Sequence, residues 1–565
     1  MESDLNPVKR TSAGAFSPHD FLELTAAEFV ALLGERGIEI QERAGRLVVN
    51  SPSGMVDDLL RAELQHRKAD LLTVLTTPNE VPHKSPLLPG KRGDRIPLTP
   101  SQQGIWLIDH FDPGNVAYNI PEAFPLSGLL DLEILQKTVD LLIARHEILR
   151  TGFHEQDGAL YQSIEPEAHT LVGTTDLTSL SEAEAAIQCS VLIREHARCP
   201  FDLRHPPLLR FHVFRVALAR DVLLVNIHHI IADRQALLVL REEFTEAYQA
   251  LAGNTTPKLP ALSLHYADYA VWAAEQLRSS PMERQIEYWK QRLDGLPPYL
   301  ELPLSRPYPS QPSAEGDTVA FELPASVRES LAQIGRDSSA TPFMTFLAAF
   351  ALLIARFSGQ RDFCIGSPVT QRTHVETQRM IGLFMNMVAF RVQFPPQQSF
   401  RELLLQVRAT ALDAYEHSDV PFQTLVRALR FNRRSPRNPI FQVMFGFESA
   451  APSHHAVSQI DTRPGTARYD LSFVLTESAA GILFGYVEYR TDLFEQAEIA
   501  NLARQFVDLV GEVAEAPDRA CFSAQSVGVA EEDVPPSNPS SLPSNDAHRT
   551  FIGRLFSAFA SRSRQ

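Results

Sequence analysis

Two hydrophobic periodicities alternate along most of the chain. Apolar residues have helical spacing in segments such as LEILQKTVDLLIARHEILR (132–150), whereas DVLLVNIHHI (221–230) contains the short apolar run that is typical of a strand. A proline-rich stretch at residues 296–313 interrupts both patterns and cannot be helical, because proline lacks a donor and clashes with the preceding turn. The alternation predicts an α/β fold of two lobes, which we place at residues 96–275 and 276–525.

A smaller unit precedes these lobes at residues 20–77. Apolar residues at helical spacing are followed by IEIQERAGRLVV (38–49), in which two strand-like runs flank Gly45, and then by a second amphipathic helix. The pattern predicts a helix, a β-hairpin and another helix. A unit of fewer than about 70 residues buries little apolar surface, so we interpret it as a recognition module rather than an enzyme.

The remaining segments are rich in proline, serine and charge. We expect a flexible N-terminus at residues 1–19, a linker at residues 78–95 and a flexible tail at residues 526–565. Apolar residues at 551–559 share one helical face, which predicts a short amphipathic helix in the tail. The alternative for this helix is a frayed end without function.

Composition narrows the classes of function. The 565 residues include 52 basic and 68 acidic ones, for a net charge of −16, without a long lysine and arginine run, so we expect no nucleic-acid partner. The longest apolar stretch, Pro342 to Ala355, is shorter than the roughly 18 residues that a membrane span needs. The four cysteines are too dispersed for a zinc site or a disulfide framework, and the N-terminus lacks an apolar signal segment. These features favour a cytoplasmic protein with no membrane partner and no metal.

The segment NIHHIIADR (226–234) contains the best candidates for catalytic residues. On a strand, His228 and His229 point to opposite faces, so only one of them can face a given cavity. An imidazole is the side chain best suited to accept a proton near neutral pH, and Asp233 supplies a carboxylate that can order the turn. Two alternatives stay open: ordinary histidines of a core or surface, and a two-histidine metal site, for which the spacing positions no further ligand.

Seven ordered motifs between Leu98 and Phe445 give the chain a resemblance to a known family. They are LTPSQQGIWL (98–107), RHEILRTGF (145–153), HHIIADR (228–234), YADYAVW (266–272), IGLFMNMVAFR (381–391), HSDVPFQ (417–423) and RSPRNPIFQVMF (434–445). In this order and spacing they resemble the condensation domains of nonribosomal peptide synthetases, a family related to chloramphenicol acetyltransferase. The resemblance implies two acetyltransferase-like lobes arranged in a V around a central tunnel.

The resemblance also implies roles for individual residues. His229 would face the tunnel and act as a base towards the acceptor nucleophile, or orient it, during attack on the donor thioester, and His228 would be structural. Asp233 would hold the turn through an ion pair with an arginine of the second motif, with Arg145 as first choice and Arg150 as second. No metal or bound cofactor is needed, because the donor arrives as a thioester on the 4'-phosphopantetheine of a partner carrier protein.

Residues 20–75 separately resemble the TubC-like β-hairpin docking domains. In such domains the edge of the hairpin captures the C-terminal tail of an upstream acyl or peptidyl carrier protein by strand addition. Basic residues of this unit are candidates for the countercharge, namely Arg43, Arg46, Arg67 and Lys68. For each of them a solvated surface position is the alternative.

Two positions depart from the family pattern. Arg234 stands where the family has glycine after the motif aspartate, and Gly104 stands where the first motif usually has arginine. We expect Arg234 to narrow the passage for a pantetheine arm or to bind the carboxylate of a small acceptor. The alternative is a side chain that is turned to the surface.

Motifs that would let the chain load its own substrates are absent from the sequence. It contains no carrier attachment site, no adenylation-type loop and no P-loop, so both substrates must come from elsewhere. We expect a monomeric, stand-alone condensation enzyme that transfers a carrier-bound acyl chain to the hydroxyl or amine of a small acceptor. It would release an ester or amide, as in chain release from enacyloxin-like assembly lines. The alternatives are the first condensation domain of a longer synthetase, a coenzyme A-dependent acyltransferase of the same superfamily, and a scaffold that only binds carriers.

Overall fold

The computed structural model describes a large part of the chain. The described residues are 29, 33, 39–43, 46–50, 58–68, 87–90, 92–93, 95–309, 313–429, 437–449, 462–478 and 482–522. The expectations for residues 1–19, for residues 526–565 and for most of the linker at 78–95 lie outside these residues.

The N-terminal unit contains the hairpin that its sequence predicts. Strands β1 (Glu39–Arg43) and β2 (Arg46–Asn50) pair antiparallel, and helix α1 (Asp58–His66) follows them. Phe29 and Leu60 are fully buried, so apolar residues before and after the hairpin supply the core of this unit.

Two small sheets and their helices form the first lobe. Its strands are β3 (Ile96–Pro97), β4 (Asn119–Ser127), β5 (Thr151–Gln156), β6 (Ala159–Ile164), β7 (Gly173–Asp176), β8 (Leu209–Ala217) and β9 (Arg220–His228). Its helices are α2 (Pro100–Phe111), α3 (Leu132–Arg145), α4 (Glu182–Ala197), α5 (Arg234–Ala252) and α6 (Tyr266–Gln276). One sheet has the order β3-β6-β5 and the other β4-β9-β8-β7. Side-chain caps define several helix starts, since Thr99 and Ser181 both form capping boxes.

A mixed six-stranded sheet forms the second lobe. Its strands are β10 (Gly316–Leu323), β11 (Asp362–Thr370), β12 (Met385–Gln393), β13 (Val443–Ser449), β14 (Leu471–Glu477) and β15 (Leu483–Arg490). Its helices are α7 (Ser280–Arg292), α8 (Ala325–Asp337), α9 (Pro342–Ser358), α10 (Phe400–Glu416), α11 (Phe422–Ala428) and α12 (Gln496–Glu515). The strand order is β10-β15-β14-β13-β11-β12, and β13 runs parallel to both of its neighbours.

The two faces of this sheet differ in chemistry. Because side chains alternate along a strand, Phe445 and Phe473 share one face, and their rings lie 5.4 and 4.9 Å from the Phe350 ring of α9. Glu448 of β13 and Glu488 of β15 belong to the opposite alternation. The sheet therefore packs an apolar face on helices and presents charged residues on the other.

A short segment of the second half of the chain joins the core of the first lobe. Met380, Ile381, Leu383 and Phe384 are buried among first-lobe residues. The Tyr266 hydroxyl of α6 donates to the Leu383 carbonyl at 2.8 Å. Gly382 must lack a side chain, because an added Cβ would lie 2.0 Å from the Tyr266 ring. A linear boundary at residue 276 therefore does not describe this segment, which packs with the first lobe.

Among the described helices, none has by itself the length and hydropathy to cross a membrane. Helices α8 and α9 reach these values only as a pair, which is bent by 109°. Residues 344–355 of α9 are all buried inside the second lobe, as in the core helix of a globular domain.

Candidate active site

The two histidines lie where β9 ends. His228 is the last residue of β9 and pairs with Asn119 of β4, whereas His229 opens a single 3-10 turn, His229–Ile231. The expectation that both histidines lie on one strand is therefore wrong by one residue. The backbone leaves the strand at His229, so the turn, and not strand alternation, directs this side chain.

Hydrogen bonding selects the tautomer of His229. Its Nδ1 lies 2.7 Å from the Ala232 carbonyl oxygen. Since a carbonyl oxygen can only accept, Nδ1 carries the proton and Nε2 keeps its lone pair. The His229 main-chain N–H donates to the Tyr118 carbonyl at 2.8 Å, which fixes the turn against the start of β4. Nε2 is therefore the atom that can accept a substrate proton.

Burial and charge keep the His229 imidazole neutral. The residue is 7% exposed. Burial, and after it the positive charge of Arg468, lowers the pKa of His229 to about 4, with Asp233 acting in the opposite direction. At neutral pH the ring is therefore present as the base.

His228 has a different environment. Its Nδ1 accepts the Ile230 N–H at 3.3 Å, and its ring lies edge-on to Phe201 at 5.9 Å. Burial lowers its pKa to about 3, and neighbouring His229 contributes in the same direction. These contacts support the predicted structural role, which stays a prediction. Both Nδ1 atoms are occupied by main-chain groups, and among the described residues no cluster of three or more metal-ligating side chains occurs.

Asp233 connects the His229–Ile231 turn with α5 and with the second lobe. As the N-cap of α5, its Oδ1 accepts the Ala236 N–H at 2.7 Å. Arg372 donates Nη2 to Oδ1 at 2.8 Å and Nε to Oδ2 at 3.3 Å, and the Phe384 N–H donates to Oδ2 at 3.0 Å. The Arg372 side chain is 2% exposed, so the ion pair is buried. One carboxylate thus holds three separate segments together.

The expected partners of Asp233, Arg145 and Arg150, are not its partners. Arg145 donates its Nε to Glu243 at 2.8 Å, midway along α5, and Arg150 donates to the Glu165 carbonyl at 2.5 Å. The expectation is wrong because the start of α5 faces the second lobe, which supplies Arg372. Arg145, the last residue of α3, instead links α3 to the middle of α5 through Glu243.

Arg234 is half-exposed and lies beside this junction. Its Nε is 3.3 Å from Oε2 of Glu448, which belongs to β13 of the second lobe. The side chain is therefore not simply turned to the surface, since its charge bridges the two lobes. Its role towards an acceptor stays a prediction, and a substrate carboxylate would have to compete with Glu448.

Gly104 has a steric explanation. An added Cβ would lie 2.1 Å from Nε2 of Gln423, the last residue of the sixth motif. Helix α2 therefore approaches α11 closely at this point, and a large side chain at position 104 would displace Gln423.

The candidate docking residues lie in the N-terminal unit. Arg67 pairs with Glu63 at 2.5 Å, and its guanidinium lies 5.3 Å from the centre of the Phe29 ring. Lys68 is exposed just after α1. Arg43 and Arg46 are paired in register at the closed end of the hairpin. Their docking roles stay predictions, and the contacts of Arg67 indicate that it also stabilises the unit.

Residues of both lobes meet at what we call the interlobe cleft, defined by Tyr118 and His229 on one side and Arg468 on the other. The Arg468 guanidinium lies 5.4 Å from the Tyr118 ring centre, and the Tyr118 and His229 rings are 6.4 Å apart. Sequence reasoning missed Tyr118, Arg372 and Arg468. None of them lies in the seven motifs, so only the three-dimensional contacts reveal them.

The buried imidazole of His229 lies near residues of both lobes, with Nδ1 held by the Ala232 carbonyl and a lowered pKa, and a neutral ring of this kind is suited to general-base acyl transfer. Residues 93–533 match the condensation domain family, and residues 27–76 match the TubC N-terminal docking domain. The chain therefore belongs to the condensation domain family, whose members are acyltransferases that form amide or ester bonds in nonribosomal peptide synthesis.

Relatives and solved structures agree with this assignment. The chain is 39% identical over 439 residues to one of the linear gramicidin synthase proteins of Brevibacillus parabrevis, covering 76% of this chain and 6% of that protein. It is 34% identical over 444 residues to phosphinothricin tripeptide synthetase PhsC of Streptomyces viridochromogenes, covering 77% and 41%. The chain thus spans a minor part of these multidomain relatives.

Two solved structures have the same fold. The X-domain in complex with OxyB from teicoplanin biosynthesis matches with a TM-score of 0.70 and 27% identity, covering 78% of this chain and 97% of that one. The first condensation domain of the calcium-dependent antibiotic synthetase matches with a TM-score of 0.64 and 20% identity, covering 76% and 99%. The predicted two-lobed condensation fold is confirmed.

Replacing His229 by alanine should lower turnover by about 10² to 10⁴, because Nε2 is the base that the site offers. In the unmodified protein the acid limb of the pH–rate profile should lie near pH 4, below the ordinary histidine range, since the lowered pKa keeps the ring neutral down to that point. Steady-state kinetics with a loaded carrier measure both effects. An equal loss in a stably folded His228→Ala variant would contradict the assignment.

Removing one member of the Asp233–Arg372 pair should destabilise the fold by about 3 to 5 kcal/mol, because a buried charge loses its partner. Chemical denaturation of Asp233→Ala, Arg372→Ala and the double variant forms a cycle in which the two losses should not add. Arg145→Ala serves as the matched control and should add to Asp233→Ala. Full stability with lost activity in Asp233→Ala would instead indicate direct participation in the chemistry.

Proposed function

We propose that the protein is a stand-alone condensation enzyme. It takes an acyl chain from the 4'-phosphopantetheine thioester of a carrier protein and transfers it to the hydroxyl or amine of a small acceptor, releasing an ester or an amide. The observation that carries the proposal is the neutral His229 ring, whose Nδ1 is held by the Ala232 carbonyl while Nε2 has no hydrogen-bond partner among the described residues. A base between two lobes can accept the proton of a nucleophile while the two reactants are held close together.

The reaction then needs only this imidazole and the thioester. As the acceptor oxygen or nitrogen attacks the thioester carbonyl, its proton moves to Nε2 of His229. The new carbon–oxygen or carbon–nitrogen bond forms, the carbon–sulfur bond breaks, and the proton passes on to the leaving thiolate. Because the pKa of His229 is lowered, mainly by burial, the ring returns this proton readily and is neutral again for the next turnover.

Charged residues along the interlobe cleft favour a small, free polar acceptor over a carrier-bound one. Arg234 replaces the family glycine, and its pairing with Glu448 places an ion pair across the lobes beside the catalytic turn. In the family this place is left open for the pantetheine arm of a carrier-bound acceptor. A free acceptor has no such arm to accommodate.

The second candidate is a condensation domain within a longer synthetase, joining two carrier-bound substrates by an amide. The relatives favour it, since the chain matches a minor part of each of these multidomain synthetases. The two candidates differ in the acceptor that the site accepts.

A panel experiment distinguishes them. The protein is mixed with an acyl-loaded carrier and with free alcohols, free amines or aminoacyl carriers, and products are identified by intact mass. We expect products with free small acceptors and none with aminoacyl carriers. Reaction with aminoacyl carriers alone would establish the second candidate, and the His229→Ala variant controls for uncatalysed transfer.

We also propose that residues 20–77 recruit the donor carrier, with the hairpin β1–β2 adding a strand from the carrier's C-terminal tail. The hairpin and the match of residues 27–76 to the TubC docking domain support this role. Arg43, Arg46 and Lys68 are candidates to meet acidic residues of that tail.

Deleting residues 1–77 should raise the KM for a loaded carrier while sparing reaction with a small thioester mimic, because recruitment raises effective concentration and leaves the active site unchanged. Kinetics of the two donors with full-length and shortened protein measure this. The mimic also reports whether the shortened protein is folded. Equal use of the loaded carrier by both proteins would refute the docking role.

A further inference from the structure

The second-lobe wall of the interlobe cleft carries charges that the acyl-transfer chemistry does not use. Glu488 lies opposite Ser472 in the β14–β15 register, and Glu448 lies on β13 in the same alternation. Arg468 precedes β14 and extends towards Tyr118 of the first lobe. The second-lobe wall therefore carries the carboxylates of Glu448 and Glu488 together with Arg468, which approaches Tyr118 of the first lobe.

The backbone of Arg468 is held in place. Its carbonyl accepts Nδ2 of Asn438 at 3.3 Å. Upstream in the same loop, the Pro464 carbonyl accepts Nη1 of Arg198 at 2.9 Å. The loop that carries Arg468 is therefore anchored at two carbonyl groups before any ligand binds.

The guanidinium of Arg468 differs from the other arginines between the lobes. Arg372 is paired with Asp233, Arg234 with Glu448, and Arg198 with Glu315. Within the described part of the chain, Arg468 forms no ion pair, and its guanidinium lies over the Tyr118 ring instead. Stacking on an aromatic ring orients the plane of a guanidinium while leaving its N–H groups available.

Arg468 is also close enough to the base to affect it. The centre of the Tyr118 ring lies 5.4 Å from the guanidinium carbon and 6.4 Å from the centre of the His229 ring, so both groups neighbour the same aromatic ring. The positive charge contributes, after burial, to the lowered pKa of His229. A cation this near the base would otherwise oppose formation of the imidazolium during turnover, which a bound anion would offset.

We propose that Arg468 binds the carboxylate of the acceptor and holds its hydroxyl or amine at Nε2 of His229. This inference rests on the proposed function and deepens it, because it names the acceptor class as small free hydroxy or amino acids. A bidentate guanidinium–carboxylate contact fixes the acceptor at one end, and the free Nε2 receives the proton at the other. Arg468, rather than Arg234, then sets acceptor specificity.

The test compares acids with their methyl esters. The full-length protein is given an acyl-loaded carrier and a series of ω-hydroxy acids from glycolate to 6-hydroxyhexanoate, each also as its methyl ester. Acids should have a KM about 10- to 100-fold below that of their esters, the range for a hydrogen-bonded charge pair. In Arg468→Gln the KM for the acids should rise to that of the esters, while the KM for the loaded carrier stays within about twofold.

A second readout separates binding from a structural effect. Among the described residues, the charged and titratable groups around His229 are His228, Asp233, Tyr118 and Arg468. Removing the Arg468 charge should move the acid limb of the pH–rate profile to higher pH, because protonation of the ring is no longer opposed. Loss of fold would lower all rates without such a shift.

Matched variants complete the design. Arg463→Gln removes a charge from the same loop and should keep the preference for acids, as should Arg234→Gln. Loss of the preference in Arg234→Gln but not in Arg468→Gln, or equal KM values for acid and ester in the unmodified protein, would overturn the proposal. Absence of product with every free acceptor would instead refute the proposed function itself, and with it this inference.

Discussion

The structure of the active site depends on one buried carboxylate. Asp233 caps helix α5, accepts a bidentate contact from Arg372 and accepts the main-chain N–H of Phe384. A buried charge is tolerated only when it is paired and hydrogen-bonded, so each of these contacts is required for the others to persist. The turn that carries His229 is therefore fixed by a residue that does not touch the imidazole through any described hydrogen bond.

The charge state of the His229 ring is set by burial and by two neighbouring charges. Burial favours the neutral form of His229, Arg468 acts in the same direction, and Asp233 opposes them. A base with so low a pKa binds a proton weakly. It can still act in catalysis, because it has to hold the acceptor's proton only while the new bond forms. The carboxylate of Glu488, whose pKa burial raises, lies on the same wall as Arg468. The interlobe cleft thus contains a neutral base, His229, and two charged groups, Arg468 and Glu488, on the second-lobe side.

The sequence predicts the features that are set by residues close together in the chain. It does not predict contacts between residues that are far apart in the chain. The hairpin, the alternating lobes and the HHIIADR turn follow from spacing and motifs within short windows. The partner of Asp233 does not, because Arg372 lies 139 residues away and two nearer arginines in a motif offered a simpler pairing. Strand periodicity likewise does not show that the chain leaves β9 at His229, since the apolar run continues through the 3-10 turn.

The crossing segment, residues 380–384, bears on how such domains can be recombined. Its hydrogen bonds to the first lobe use main-chain groups: the Gly382 carbonyl, the Leu383 carbonyl and the Phe384 N–H. Main-chain groups are the same in every sequence, so a second lobe from another synthetase brings these contacts with it. A chimera joined after α6 also needs the side chains that connect the lobes: an arginine equivalent to Arg372, the pairs equivalent to Arg234–Glu448 and Arg198–Glu315, and a glycine beneath the Tyr266 ring.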